Sequence, residues 1–216
     1  MISLGNPINM RGMKARREVM KYYDEVASSY DGLYSSEQSK KYEAIYGLHK
    51  PRGAILDLAC GTGGFLQKAA PHAKLLVGID LSASMIRKGI IKLRNYGNVD
   101  LIVGDAHLMP FRRRFDEVYI ITAIHIFDDL SSAMLEIARV LKGDVIVVTL
   151  LKKAIGLLSN IVSYFNSKGF ILWRLIDRDD VADVVMLFMR GSVHLESEGR
   201  SLLEGSLGPR AKRVKA

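Results

Sequence analysis

The stretch Ile55-Leu56-Asp57-Leu58-Ala59-Cys60-Gly61-Thr62-Gly63-Gly64 constrains the fold more than any other, because an apolar run breaks off into a glycine turn beneath an acid. A buried parallel strand hands over to a helix in this way. The helix expected to start near Gly63 offers unpaired backbone N–H groups, and glycines let a ligand lie against the main chain where a Cβ would collide with it. A second apolar run ends in Val77-Gly78-Ile79-Asp80. An acid about 20 residues past such a turn stands at the tip of the neighbouring strand, where its carboxylate can accept from both ribose hydroxyls. Together the two features describe a nucleoside site.

The turn's omissions narrow the nucleoside. A dinucleotide fingerprint requires G-x-G-x-x-G, and counting from Gly61 the last position is Leu66, which would crowd a pyrophosphate. NAD is therefore disfavoured. The triphosphate cradle G-x-x-x-x-G-K-[ST] is also missing. What remains is a cofactor with adenine and ribose but no phosphate, its amino-acid end against the glycine turn.

Four motifs in order now resemble the class I S-adenosylmethionine-dependent methyltransferases. The first is Asp57 to Gly63, close to the family's D/E-x-G-x-G-x-G, with Ala59 at the first glycine as in many members. The second is Asp80. The third is Gly104-Asp105-Ala106, and the fourth is Phe115 to Thr122, similar to the family's fourth strand leading into the catalytic face Thr122 to Phe127. The resemblance runs from about Lys21 to Leu151. It implies an α/β, Rossmann-like doubly wound sheet of seven strands, mostly parallel, with an antiparallel last strand inserted between the fifth and sixth, under an N-terminal helical cap. It also implies S-adenosylmethionine as cofactor. Asp57, Ala59, Cys60, Gly61, Thr62 and Gly63 would meet its methionine end, Asp80 its ribose, and Asp105 its adenine amino group. Leu81, Met85, Ala106 and Thr122 would complete the site, with Tyr22 and Tyr30 from the cap.

Composition sets the outer bounds. The 49% hydrophobic and 25% charged fractions are those of an ordinary globular chain. The longest uncharged apolar stretch, Val145 to Leu151, is far short of a membrane span, and Met1 to Met13 has no continuous apolar core, so a cytoplasmic protein without membrane contact is expected. The lone cysteine, Cys60, excludes an internal disulfide and reads as a small buried residue, and the five scattered histidines predict no metal site. The net charge of +8 is concentrated at the two ends: Arg11, Lys14, Arg16, Arg17 and Lys21 at one, and Arg200, Arg210, Lys212, Arg213 and Lys215 at the other. Such arms contact RNA or an acidic partner, or are solvated tails.

Three parts are expected: a basic arm and helical lid (1–50), the cofactor-binding domain (51–195) and a basic mobile tail (196–216). Tyr23, Ala27 and Tyr30 fall at i, i+4 and i+7, one stripe of a single helix. Tyr22, Tyr23, Tyr30 and Tyr34 are candidate lid residues; the alternative is packing against the sheet. From Ala54 the rhythm is βαβ, with strands expected at 54–59, 74–80, 99–104, 115–122 and 144–150. Helical faces lie between Ser84 and Asn95 and between Ser132 and Leu141, and a helical stretch near 153–167 precedes a hairpin of Phe170 to Ile176 and Val184 to Met189 around an acidic turn that includes Asp183.

Methyl transfer from a sulfonium is an in-line displacement with an activated reagent, so holding the acceptor lone pair opposite the departing sulfur is the main task. Thr122 to Phe127 lacks the Asn/Asp-Pro-Pro-Tyr/Phe motif of base-amino methylases, which argues against an N6-adenine or glutamine-amide acceptor. His125, with an ordinary pKa near 6.5, is the candidate base, or else a wall or capping residue. Candidate acceptor contacts are Tyr23, Tyr34, Phe127, Arg112 and Arg113. The expected acceptor is RNA (tRNA or rRNA), its phosphates touched by the basic arm and Arg112 to Arg114. The alternative is a small metabolite, since the Y-D-x-x-A-x-x-Y-D helix also resembles quinone-ring C-methyltransferases; its mark would be an apolar pocket beneath the lid tyrosines. A third reading is a non-catalytic RNA-binding or activator subunit. Some relatives need a small activator subunit at the sheet edge, which makes one a possible partner.

Overall fold

The computed structural model describes residues 12–112 and 115–191, and all statements of structure concern these. The basic residues Arg11, Arg113 and Arg114 and the 196–216 tail lie outside them, as does the side chain of Lys14.

Two helices, α1 (Gly12–Val26) and α2 (Tyr30–Leu48), precede a run of alternating strands and helices. These are β1 (Ala54–Leu58), α3 (Gly64–Ala69), β2 (Leu75–Asp80), α4 (Ala83–Leu93), β3 (Val99–Val103), β4 (Phe115–Ile120), α5 (Leu130–Val140), β5 (Leu141–Leu151), α6 (Leu158–Ser167), β6 (Phe170–Asp177) and β7 (Asp183–Arg190). Short 3-10 turns cover Ile124–Ile126 and Lys152–Leu157. The strands form one seven-stranded sheet in the order β3-β2-β1-β4-β5-β7-β6. The first five are parallel, and β7 runs antiparallel to both β5 and β6. The expected doubly wound topology is present, including the last strand inserted before the sixth.

Burial on both faces follows from strand periodicity. Leu56 and Leu58 of β1, with Ile146, Val148 and Leu150 of β5, join one apolar cluster with α5 and α6. Their neighbours Ile55 and Val147 join another with α2, α3 and α4. Every central strand is therefore apolar at successive positions, which is why the sequence shows runs rather than alternation. The cap is part of this second cluster: Ala44, Ile45 and Leu48 of α2 are buried in it.

The tyrosine stripe is not one helix. α1 ends at Val26 and α2 starts at Tyr30, with Ser29 N–H donating to the Val26 carbonyl at 3.1 Å across the turn between them. Two serines at the break and a buried Ala27 let the chain change direction without a glycine or proline to mark it. Tyr23 and Tyr30 still meet, edge to face, with ring centroids 6.3 Å apart. Two strand limits also move: β4 stops at Ile120, short of 122, and β5 begins at Leu141. Among the described residues no helix is long and apolar enough to cross a membrane, and no three His, Cys, Asp or Glu side chains are grouped to hold a metal ion.

Candidate active site

The parallel strands β1, β2 and β4 point their carboxyl ends at one edge, and two adjoining cavities open there. The larger, about 560 Å³, lies between α2 and the glycine turn, with Tyr30, Tyr34, Tyr42, Asp57 and Phe65 among its walls. The smaller, about 100 Å³, is bounded by Asp80, Leu81, Met85, Asp105 and Ala106 below and by α1 above. Tyr30, Ala59, Gly61 and Ile121 line both, so the two form a continuous path around the glycine turn.

The turn is built on left-handed backbone. Ala59 has φ +56°, Gly61 +56° and Gly63 +74°. A Cβ on Gly63 would strike Leu93 Cδ1 at 2.5 Å, whereas a Cβ on Gly61 would enter open space within the path. At 63 the left-handed backbone favours glycine and the Leu93 methyl adds crowding, whereas ligand room is what glycine at 61 provides. Thr62 is buried in a small network: its hydroxyl donates to Asp31 Oδ1 at 2.6 Å and accepts from Lys92 Nζ at 2.8 Å, while Lys92 pairs with Asp31 at 2.7 Å.

Three acids follow the path, two shifted upward by burial and one downward. Asp57 is buried and its Oδ1 has no hydrogen-bond partner. Burial, and then the nearby charge of Asp80, push its carboxyl well above the usual range. Burial also raises Asp80, partly offset by N–H donors from Ser82 and Gly61, each at 2.8 Å. Asp80 does not cap α4; Ser82 does, accepting from Met85 N–H at 3.1 Å. Asp105 goes the other way. Burial opposes its ionisation, yet the His107 ring at 2.6 Å, the His107 N–H at 2.8 Å and Arg16 at 2.8 Å hold it well below the usual range.

Helix α1 closes the smaller cavity through Arg16, Val19, Met20 and Tyr23. Arg16 Nε bonds Asp128 at 2.9–3.0 Å and its Nη1 bonds Asp105, so this member of the basic arm is committed inside the protein and is not free for phosphate. Asp24 fixes the other end, accepting from Ser82 Oγ at 2.6 Å and Ser84 N–H at 3.0 Å. Burial, then the charge of Asp80, push the Tyr23 phenol up to about 12.

The expected site residues divide clearly. Asp57, Cys60 and Thr62 line the larger cavity, Asp80, Leu81, Met85, Asp105 and Ala106 the smaller, and Ala59, Gly61 and Tyr30 both. Gly63 lines neither and serves the turn. Tyr34 faces the larger cavity, Tyr23 and Phe127 the smaller, and exposed Tyr22 neither. Thr122 lines the smaller cavity, but its hydroxyl is held by Lys41 and Asp183. Arg112 is exposed and lines neither cavity, and Arg113 lies outside the described residues. His125 is buried and opens instead onto a third cavity of about 290 Å³ beside Tyr164, where burial lowers its pKa. It shares no cavity with the glycine turn.

Several functional candidates were not legible in the sequence. Arg16, Asp31, Gln38, Tyr42 and Lys92 join the walls from the cap and α4, and Lys41, Thr149 and Asp183 form a buried cluster behind Thr122. Asp183, expected in the acidic turn, opens β7 and is fully buried. Only long-range pairing gives these residues their places.

Residues 55–144 match the family described as a methyltransferase domain. The chain is 33% identical over 140 residues to a demethylmenaquinone methyltransferase of Staphylococcus carnosus, covering 60% of this chain and 58% of that one. To the enzyme of the same name from Staphylococcus aureus strain MRSA252 it is 35% identical over 153 residues, covering 65% and 63%. In fold it is similar to a DhpI complex with S-adenosylhomocysteine, at TM-score 0.71 and 18% identity over 84% of this chain and 99% of that one. The methyltransferase-domain match over residues 55–144 agrees with the class I S-adenosylmethionine-dependent resemblance carried by the four motifs. The chain spans less than two thirds of the length of these curated relatives.

Proposed function

We propose that the protein transfers a methyl group from S-adenosylmethionine to a small aromatic acceptor of the quinone type. The observation that carries the reading is the partnerless, buried Asp57 Oδ1 at an aromatic-walled cavity that runs on to Asp80 and Asp105. A buried carboxylate oxygen without a donor is stabilised by an incoming ammonium group, and a cofactor α-amino group supplies one. Open space at Gly61 leaves room for the cofactor chain, Asp80 keeps lone pairs for the ribose, and Asp105 is held ionised for the adenine amino group.

The cofactor supplies an already activated methyl group. This chain's residues then bind, orient and exclude water. Tyr30 borders both cavities, where its ring can face the sulfonium; a π face attracts a cation. Tyr34, Tyr42 and Phe65 give the larger cavity flat apolar walls suited to a ring. These aromatic walls beneath the lid tyrosines support the small-molecule alternative, although Gln38, Gln67, Lys68 and Lys92 also line the cavity. The named relatives support the same class of acceptor, and they lend none to RNA. With Arg16 internally bonded, the RNA reading is the weaker proposal, as is an activator subunit as partner.

The test is transfer of labelled methyl from S-adenosylmethionine into a cell extract divided into nuclease-treated, protease-treated and solvent-extracted portions. Label that survives both enzymes and moves into the solvent supports the small acceptor. Label lost to nuclease restores RNA. S-adenosylhomocysteine titrated calorimetrically without heat would reject the cofactor site itself.

A further inference from the structure

A buried ion pair sits directly behind the cavity wall. Lys41 of α2 and Asp183 of β7 are both fully buried, with Lys41 Nζ 3.0 Å from Asp183 Oδ1. Lys41 Nζ also donates to Thr122 Oγ1 at 2.6 Å, and the Thr122 hydroxyl donates in turn to Asp183 Oδ2 at 2.9 Å. Thr149 of β5 accepts the Thr122 N–H at 2.8 Å and donates to the same Asp183 oxygen at 2.8 Å. Every polar group of Thr122 that can reach this cluster is bound within it.

Such a cluster is poorly explained by stability. Desolvating two charges consumes most of their attraction, and apolar side chains of similar volume would serve the core as well or better. Thr122 is also strained: its φ is +56°, a region that a β-branched residue rarely enters and that persists only when the surroundings over-determine it. Thr122 starts the segment whose Ala123, Ile126 and Phe127 wall the smaller cavity. Lys41 comes from the helix whose Gln38 and Tyr42 wall the larger one. The pair thus ties the two walls together at the strained Thr122.

We infer that Lys41 and Asp183 are positioning residues that hold Thr122 in its left-handed conformation and thereby set the wall from Thr122 to Phe127 against α2 for ligand binding. The inference rests on the proposed cofactor site, so its test includes one readout that needs no ligand. In the paired variant Lys41→Met/Asp183→Asn both buried charges leave together, so no buried charge is left unpaired; Glu37, 3.6 Å from Lys41 Nζ, is 42% exposed and stays solvated. Hydrogen exchange should quicken about tenfold at the Thr122 amide, the scale of the strain released, while Tyr119 and Ile120 of β4 stay protected. Affinity for S-adenosylhomocysteine should fall by about the same factor. Adding Thr122→Gly, which adopts the same φ without strain, should recover most of that affinity.

Unchanged exchange at Thr122 overturns the inference, and so does a loss of affinity that glycine at 122 fails to restore, since that marks Lys41 and Asp183 as general supports of the fold. If the wild-type protein itself binds no S-adenosylhomocysteine, the proposed function fails while the exchange data still decide whether the pair holds Thr122. If the paired variant does not melt cooperatively, Thr149→Val, which removes the acceptor of the Thr122 N–H and one donor to Asp183 but keeps the Lys41–Asp183 pair, is judged by the same two readouts.

Discussion

Arg16 bridges Asp105 and Asp128, its Nη1 2.8 Å from Asp105 Oδ2 and its Nε 2.9 Å from Asp128 Oδ2. One guanidinium therefore joins the cap helix α1 to the acid after β3 and to the loop after β4. His107 lies between the same two carboxylates, 2.6 Å from Asp105 and 3.3 Å from Asp128. The residue expected to receive adenine and the helix that covers it form a single electrostatic unit.

Replacing Arg16 with Gln should loosen that cover. The guanidinium is 28% exposed, so solvent screens the pairs and their loss should cost only about 1 kcal/mol. We expect S-adenosylhomocysteine to leave about fivefold faster, because 1.4 kcal/mol corresponds to about tenfold. Stopped-flow displacement measures this, and an unchanged release rate would mean that α1 does not gate the smaller cavity. The same clasp makes cofactor binding somewhat salt-sensitive, so sensitivity to salt is not by itself a sign of RNA.

Asp80→Ala should weaken cofactor binding by about 1–3 kcal/mol, the usual loss for charge-assisted bonds. Part of that loss is indirect, since Asp80 also accepts the Gly61 and Ser82 N–H groups that shape the turn. Asp80→Asn keeps one acceptor oxygen and should lose less. Calorimetric titration of both variants separates the two contributions; equal affinity in wild type and Asp80→Ala would remove Asp80 from the site.

What the sequence disclosed and what it hid follow from range. The glycine turn, Asp80 and Asp105 were legible because strand, turn and acid are neighbours in sequence, and a parallel sheet aligns strand ends without further information. The break at 27–29 was hidden because Tyr23, Ala27 and Tyr30 keep helical spacing across it. The start of β5 was hidden because Lys142, Gly143 and Asp144 look like turn residues, although Gly143 is required there because a Cβ would collide with the Asp116 carbonyl. Arg16 with Asp105, and Lys41 with Asp183, pair between segments far apart in the sequence. No local pattern distinguishes such residues from solvated charges.

Ala59 offers a stability prediction at the family's first glycine. Its φ of +56° costs an alanine about 1–2 kcal/mol, while glycine loses about 0.5–1 kcal/mol through unfolded-state entropy. Ala59→Gly should therefore raise the melting temperature slightly. Gly78→Ala on β2 should lower it, by about 1–3 kcal/mol of overpacking, because its Cβ would stand 2.6 Å from Cys60 Sγ and 2.7 Å from Leu66 Cδ1. Calorimetric melts of the two variants should shift in opposite directions, and a fall for Ala59→Gly would show that its methyl packing outweighs its backbone strain.

Asp57 makes the sharpest pH prediction. Burial raises its folded-state pKa above the unfolded value near 3.9, so the buried neutral acid's contribution to stability is full below that pH and is lost as pH rises through the folded value. Asp57→Asn has the same shape and does not titrate. The variant's melting temperature should therefore gain on wild type as pH is raised from about 4 to 8. Asp105 shifts in the opposite direction and, common to both proteins, cancels in the difference; Asp80 is coupled to Asp57, so relief of their repulsion in the variant adds to the gain at high pH. Binding should reverse the order: an ammonium group beside Asp57 favours its ionised form, so wild type should release a proton on taking up S-adenosylhomocysteine, seen as a heat that varies with buffer ionisation enthalpy. Asp57→Asn should release none from this position and bind about 1–3 kcal/mol more weakly. A melting difference that stays flat with pH, together with no proton release, would mean that Asp57 is already charged in the free protein and that the α-amino group is held elsewhere.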